Sequence, residues 1–220
     1  MITEIIKNDS WTVTFKCNCL EAIRLKVLAI IDKEIHVQKF ISQGLSPKDS
    51  EEIISLIPWF DKLRLSGTRI NYFYTQPNTY MPPHKDSAVM NYGINIPIEI
   101  NDQLCITNWY ANEVILPKYH YFEGFKPNGR SRFPRPVREV TNFKAGAERP
   151  EHMEVMQNDQ VTLFNVGKFH DWYNFGPMRR ITLTLRPKND DDHSFDWARE
   201  TLLEIKDNKP EPVRGIQLVY

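Results

Sequence analysis

The run Arg179-Arg-Ile-Thr-Leu-Thr-Leu-Arg186 alternates polar with apolar residues, and that period of two constrains the chain more than any other stretch. In an extended strand Arg180, Thr182 and Thr184 share one face, while Ile181, Leu183 and Leu185 share the other. Five more stretches between 69 and 174 read as strands on the same grounds. They are Arg69–Thr75, Asn91–Ile98, Gln103–Tyr110, Met153–Met156 and Gln160–Asn165, and the segment around His170 joins them. Asn101-Asp102 is a turn signal and predicts a hairpin between the second and third.

Helices precede this β region. Residues 10–17 alternate as a strand, and Leu20 to Ile31 repeats apolar residues at helical spacing. A second helix has Ser46 as cap, Pro47 at its first position and Asp49 in its first turn, and it ends near Pro58. A late helix over 194–205 is capped by Ser194, and a proline-containing tail, 208–220, is expected as a surface strap. Helices followed by many short strands predict a mainly β fold with flanking helices, an antiparallel sandwich or barrel buttressed on one face. The 220 residues suit a single domain. It comprises a supporting part (1–68), a β core (69–187) with an insertion at about 111–152, and a C-terminal helix and tail (188–220).

Lysine plus arginine balances aspartate plus glutamate, 28 against 28. No global field therefore directs the chain to nucleic acid or membrane. The insertion differs, since between Lys118 and Arg149 basic residues interleave with Tyr119, Tyr121, Phe122, Phe125, Phe133 and Phe143. Such a loop either contacts a nucleic acid or acidic substrate or is pinned to the barrel by its aromatics. Three cysteines, an odd number, fit free thiols in a reducing compartment. The N-terminal residues carry no apolar signal core, and no apolar run reaches membrane-spanning length. A cytoplasmic protein without membrane contact is the expectation.

The chemistry concentrates in Met81-Pro-Pro-His-Lys-Asp86 and in His170. His84 and Asp86 flank one residue and share a strand face. With His170 they make two imidazoles and one carboxylate, the set that holds iron(II) on one face of an octahedron and leaves positions for a bidentate 2-oxo acid and dioxygen. The far carboxylate of such an acid wants the planar, permanently charged fork of arginine. Arg180 lies ten residues beyond His170, and Thr182 adds a hydroxyl on the same face. Arg179 falls on the opposite face. His36, His120, His152 and His193 lack such context and read as structural. Asp190 to Asp192 read as a solvated turn.

The pattern His84-x-Asp86, His170, Arg180-x-Thr182 resembles the iron(II)/2-oxoglutarate-dependent dioxygenase superfamily over about residues 69–187. His84-Lys-Asp-Ser followed by Ile94-Asn-Ile-Pro-Ile98, and Asn174 after His170, are similar to aspartyl/asparaginyl and prolyl hydroxylase-like members. This chain reads Asn91-Tyr92-Gly93 where the aspartyl/asparaginyl hydroxylase-like members commonly have an arginine. The resemblance implies a double-stranded β-helix (jelly-roll, cupin-like) core. It implies His84, Asp86 and His170 as iron(II) ligands, and Arg180 with Thr182 on the 2-oxoglutarate C5 carboxylate. Tyr72 or Tyr74 would reach the same carboxylate, and Asn95 the other end of the cosubstrate. The implied activity is hydroxylation of a C–H bond in an amino-acid-like or protein side-chain substrate, with release of succinate and carbon dioxide. Trp109 and Tyr80 are candidates for the substrate mouth, with core the preferred reading of Trp109. Alternative readings are a cupin-type metal enzyme such as an isomerase, which has no need of Arg180, or a non-catalytic binding module. A nucleic-acid substrate stays open.

Overall fold

The computed structural model describes residues 1–31, 40–84, 91–110, 121–122, 135–136, 150–188 and 193–208. At 40–41, 80, 82–84, 121–122 and 135–136 it describes the backbone alone. In chain order the elements are β1 (Ile2–Asn8), β2 (Thr12–Cys17), α1 (Leu20–Ile31), β3 (Phe40–Gly44), α2 (Pro47–Ser55), β4 (Leu65–Thr75) and β5 (Thr79–His84). There follow β6 (Tyr92–Glu99), β7 (Cys105–Tyr110), β8 (Tyr121–Phe122), β9 (Arg135–Pro136), β10 (His152–Val155) and β11 (Val161–Asn165). The last are β12 (Phe169–Asn174), β13 (Arg180–Pro187) and α3 (Phe195–Asp207).

Two antiparallel sheets form the body. The larger runs β1-β2-β11-β6-β13-β4-β3 and the smaller β10-β7-β12-β5. From β4 onward, with the short β8–β9 pair set aside, the chain alternates larger and smaller sheet through β4, β5, β6 and β7, then runs smaller and larger through β10, β11, β12 and β13. This winding between facing sheets is the double-stranded β-helix, as the resemblance implied.

The period-two pattern decides where the oil goes. Ile181, Leu183 and Leu185 of β13 join Ile94, Ile96 and Ile98 of β6 and Val161 and Leu163 of β11 in one core. Helices cover this face. α1 buries Leu20, Ile23, Val27 and Ile31 at spacings of three and four, α2 contributes Ile53, and α3 contributes Ala198 and Leu202. Each large apolar side chain so buried contributes about 1.5–3 kcal/mol. The caps form as the sequence suggests: Ser46 accepts from the Asp49 N–H at 3.1 Å and Ser194 from the Trp197 N–H at 3.1 Å.

The structure corrects three expectations. The turn at Asn101 forms, with the Leu104 N–H donating to its carbonyl at 3.1 Å, but it makes no hairpin. β6 and β7 belong to different sheets, and the turn, with Gln103 at φ 64°, carries the chain across. β1 has no counterpart among the expected strands; its exposed positions hide it from pattern reading. The β core resumes at His152, inside the range assigned to the insertion. Of that insertion only β8, β9 and residues from 150 onward are described; His36, His120, Asp190–Asp192 and residues 209–220 lie outside the described residues.

Candidate active site inside the barrel

The residues opposite the oily face of each strand point into the space between the sheets, and this is where the sequence-marked residues meet. In the smaller sheet, His170 of β12 is registered against His84 of β5 on one side and Trp109 of β7 on the other. Trp109 is in turn registered against His152 of β10. Directly opposed positions of an antiparallel ladder share a face, so one row crosses the sheet from His84 through His170 and Trp109 to His152. Between the pairs His170–His84 and Trp172–Met81, one residue of β12 opposes two of β5. Pro82 and Pro83 occupy that bulge. β5 is the sheet's edge, where prolines are tolerated because no ladder donor is lost.

The His170 ring is fixed on three sides. Its Nδ1 lies 3.0 Å from the Lys168 carbonyl, a contact that needs a proton on Nδ1 and puts the ring's lone pair on Nε2. Phe164 meets it edge-on at 6.1 Å, and Trp109 lies at 6.3 Å. Trp109 itself is held by donation from its Nε1 to the Asn165 carbonyl at 3.0 Å. Behind the row, on the sheet's other face, Asp171 is fully buried. It accepts from the Tyr110 hydroxyl at 2.5 Å and the Asn108 amide at 2.9 Å. Burial pushes its carboxyl above the ordinary range, against the pull of those donors.

Arg180 opens β13 and enters the same interior. It is registered against Thr75 of β4, and Thr182 against Phe73 and Pro97. The guanidinium is buried, with Cζ 4.7 Å from the centroid of the Trp172 ring and Nη2 3.1 Å from the Met156 sulfur. Its Nε has no hydrogen-bond partner among the described residues, and burial lowers its pKa from the ordinary arginine value. A buried cation without an anion is costly in an isolated protein. Thr182 is buried on the same face, and Thr184 donates to the Asn95 Oδ1 at 2.6 Å. A small polar cavity between the sheets is lined by Asn95, Thr107, Glu154 and Thr162 with Trp109 and Phe164. Trp109 and Phe164 touch His170, and Met156, which also borders the cavity, touches Arg180. Arg179, facing out, makes a two-pronged pair with Glu99 at 2.9 and 2.8 Å.

Tyr72 and Tyr74 are not brought to this site. They are registered against Leu183 and Ile181, so both face the helices, Tyr72 buried in the main core and Tyr74 packed against it. Position 80 is registered against Tyr173, on the outward side with Asp171 and away from the His170 face. Trp109 lines the interior beside His170 as part of the packing. Asp86 lies outside the described residues. The described residues thus supply two of the three expected ligand positions, His84 by backbone register and His170 with its ring.

No protein-family model matches the chain, and no curated protein matches its sequence. Solved structures do match. An oxidoreductase of the 2OG-Fe(II) oxygenase family from Burkholderia pseudomallei aligns over 84% of this chain and 87% of its own, with TM-score 0.52 at 10% identity. The likeness is one of fold, the double-stranded β-helix. HygX from Streptomyces hygroscopicus, solved with nickel and 2-oxoglutarate, aligns over 80% of this chain and 83% of its own, with TM-score 0.46 at 8% identity. A Pseudomonas putida prolyl-4-hydroxylase aligns over 77% and 88%, with TM-score 0.40 at 10% identity.

Within this fold the structure adds contacts that the sequence does not mark. Trp172 stacks on Arg180. His152 lies between Trp11, stacked at 6.0 Å and 4°, and Trp109 at 5.5 Å. Glu154 accepts from Lys7 at 2.5 Å and Thr14 at 3.0 Å at the cavity wall. Trp11, Lys7 and Thr14 come from the first fourteen residues, and no local spacing signals that pairing. Among the described residues no helix is long and apolar enough to cross a membrane.

Proposed function

We propose that the chain is an iron(II)- and 2-oxoglutarate-dependent dioxygenase that hydroxylates a C–H bond of an amino-acid-like or protein side-chain substrate. The observation that carries the reading is Arg180: a buried guanidinium whose Nε has no partner among the described residues, facing the interior that His170 and the His84 position also face. The donor set fits the metal, since His170 is held in the tautomer that ligates through Nε2. His84, His170 and Asp86 would hold iron(II), and Arg180 with Thr182 the C5 carboxylate of 2-oxoglutarate. So bound, the pair supplies oxidative decarboxylation to succinate coupled to C–H hydroxylation.

The chain's own residues do the positioning. Trp172 and Met156 fix the plane of the Arg180 fork. Phe164 and Trp109 keep the His170 ring from rotating and exclude water from its flanks. Asn95, hydrogen-bonded to Thr184, offers its amide N–H groups to the cavity. The amino-acid-like substrate follows from the likeness of His84-Lys-Asp-Ser and Ile94-Asn-Ile-Pro-Ile98 to hydroxylases.

Anaerobic titration with iron(II) and 2-oxoglutarate tests the reading. A visible metal-to-ligand charge-transfer band is expected, and His170→Ala should abolish it. Arg180→Ala should weaken 2-oxoglutarate and leave iron binding in place. Metal-replete protein that shows no band with 2-oxoglutarate would overturn the assignment.

A further inference from the structure

Away from the barrel interior, β2 ends and α1 begins across three residues, Cys17-Asn18-Cys19. Both thiols are buried except for an edge, 8% and 9% exposed. Their sulfurs lie 3.2 Å apart and share a hydrogen bond. Closing by about 1.2 Å would bring the sulfurs to disulfide bond length. The two are not equivalent. Cys19 caps α1, its carbonyl accepting from the Ile23 N–H at 3.1 Å, so its sulfur sits at the positive end of a twelve-residue helix. The hydrogen bond shared with Cys17, helped by the N-terminal ammonium and the Cys19 backbone, pulls the Cys19 thiol down to about 7 against burial, while the same bond and burial push Cys17 up. Cys105 contrasts with them: it is alone and fully buried, and burial raises it.

We propose that Cys17 and Cys19 form a reversible thiol–disulfide couple, in which Cys19 is the attacking thiolate and a hydroperoxide the oxidant. The Cys19 thiolate displaces alkoxide or hydroxide from the peroxide and becomes a sulfenic acid. The Cys17 sulfur then attacks that sulfur, expelling water and closing the disulfide. Two thiols and one hydroperoxide give one disulfide, one alcohol or water, and one further water. A dithiol returns the pair to the reduced state by exchange. The bond ties the last residue of β2, which is registered against Ile2 of β1, to the first turn of α1.

Peroxide treatment of the folded full chain, followed by alkylation and peptide mass spectrometry, tests the couple. The wild type should lose both thiols together, yield an intramolecular Cys17–Cys19 disulfide, and recover them with dithiothreitol. In Cys17→Ser, dimedone should capture Cys19 as the sulfenic acid. In Cys19→Ser, Cys17 should stay reduced at the same exposure. Alkylation of Cys19 should rise with a midpoint near pH 7 in the wild type and at higher pH in Cys17→Ser. Thiols that stay reduced in the folded wild type while the urea-unfolded chain reacts would overturn the proposal. So would over-oxidation of Cys19 without a disulfide, or bridging only between molecules. The wild-type result stands even if a variant fails to fold.

Discussion

The guanidinium of Arg180 lies over the indole of Trp172 at 4.7 Å from the ring centroid. The two residues come from facing sheets. The contact spans the barrel and aims the one buried arginine whose Nε lacks a partner among the described residues. A cation over an aromatic face contributes about 0.5–2 kcal/mol. Trp172→Leu is therefore expected to weaken 2-oxoglutarate binding roughly 3- to 30-fold with iron affinity retained, as read by calorimetric titration of each.

The turn that delivers Arg180 is held by two asparagines. The Asn101 amide donates to the Met178 carbonyl at 2.8 Å and to Asn174 Oδ1 at 3.1 Å, and its oxygen accepts from the Met178 N–H at 3.2 Å. Gly176 sits against it so closely that an added Cβ would fall 2.1 Å from the Asn101 side chain. Asn101→Ala should cost about 1–3 kcal/mol by stranding those groups. Gly176→Ala should lower the melting temperature by forcing Asn101 aside. In both variants thermal unfolding should shift together with the 2-oxoglutarate Kd.

Glu154 is a buried carboxylate held by Lys7, Thr12 and Thr14. Lys7 is about a third exposed, its side chain at 35%, so solvent screens the pair and its net worth is modest. Removing Lys7 nevertheless leaves a buried charge short of a donor. Lys7→Met should cost about 1–3 kcal/mol in denaturant unfolding. Adding Glu154→Gln should recover part of that loss, and equal losses in single and double variants would refute the pairing.

His152 sets a pH dependence. Burial lowers its pKa below 6.5, Lys7 adds to this, and Asp9 and Glu154 oppose it. Its folded state thus favours the neutral ring. For a histidine with a depressed folded pKa, the unfolded chain binds the extra proton first, so stability is present above the unfolded pKa and lost as pH falls below it. Unfolding free energy should rise between about pH 5 and 7. His152→Phe should flatten that slope, which urea melts across the range would show.

Part of this was legible in sequence for a definite reason. The alternation in β13 states which residues share a face, and the spacing from His170 to Arg180 singled out the arginine that the structure buries in the interior. The same logic stopped at Tyr72 and Tyr74. Parity says that they agree with each other, but only the register with Leu183 and Ile181 says which way they face. Asn101-Asp102 misled because turn chemistry is the same whether the chain reverses within a sheet or steps to the next one. The partners of His152 and Glu154 were invisible because Lys7, Asp9, Thr12 and Thr14 lie about 140 residues away.

The division of β13 has a consequence for how such a protein can change. Ile181, Leu183 and Leu185 answer to the helices, and Arg180, Thr182 and Thr184 answer to whatever enters the barrel. Neighbours in the chain thus belong to separate tasks, divided by the thickness of one sheet. Substrate preference can drift by exchanging alternate residues while the folding free energy, held on the far side, stays where it was. A shift of register by one residue would trade the two sets and lose both at once.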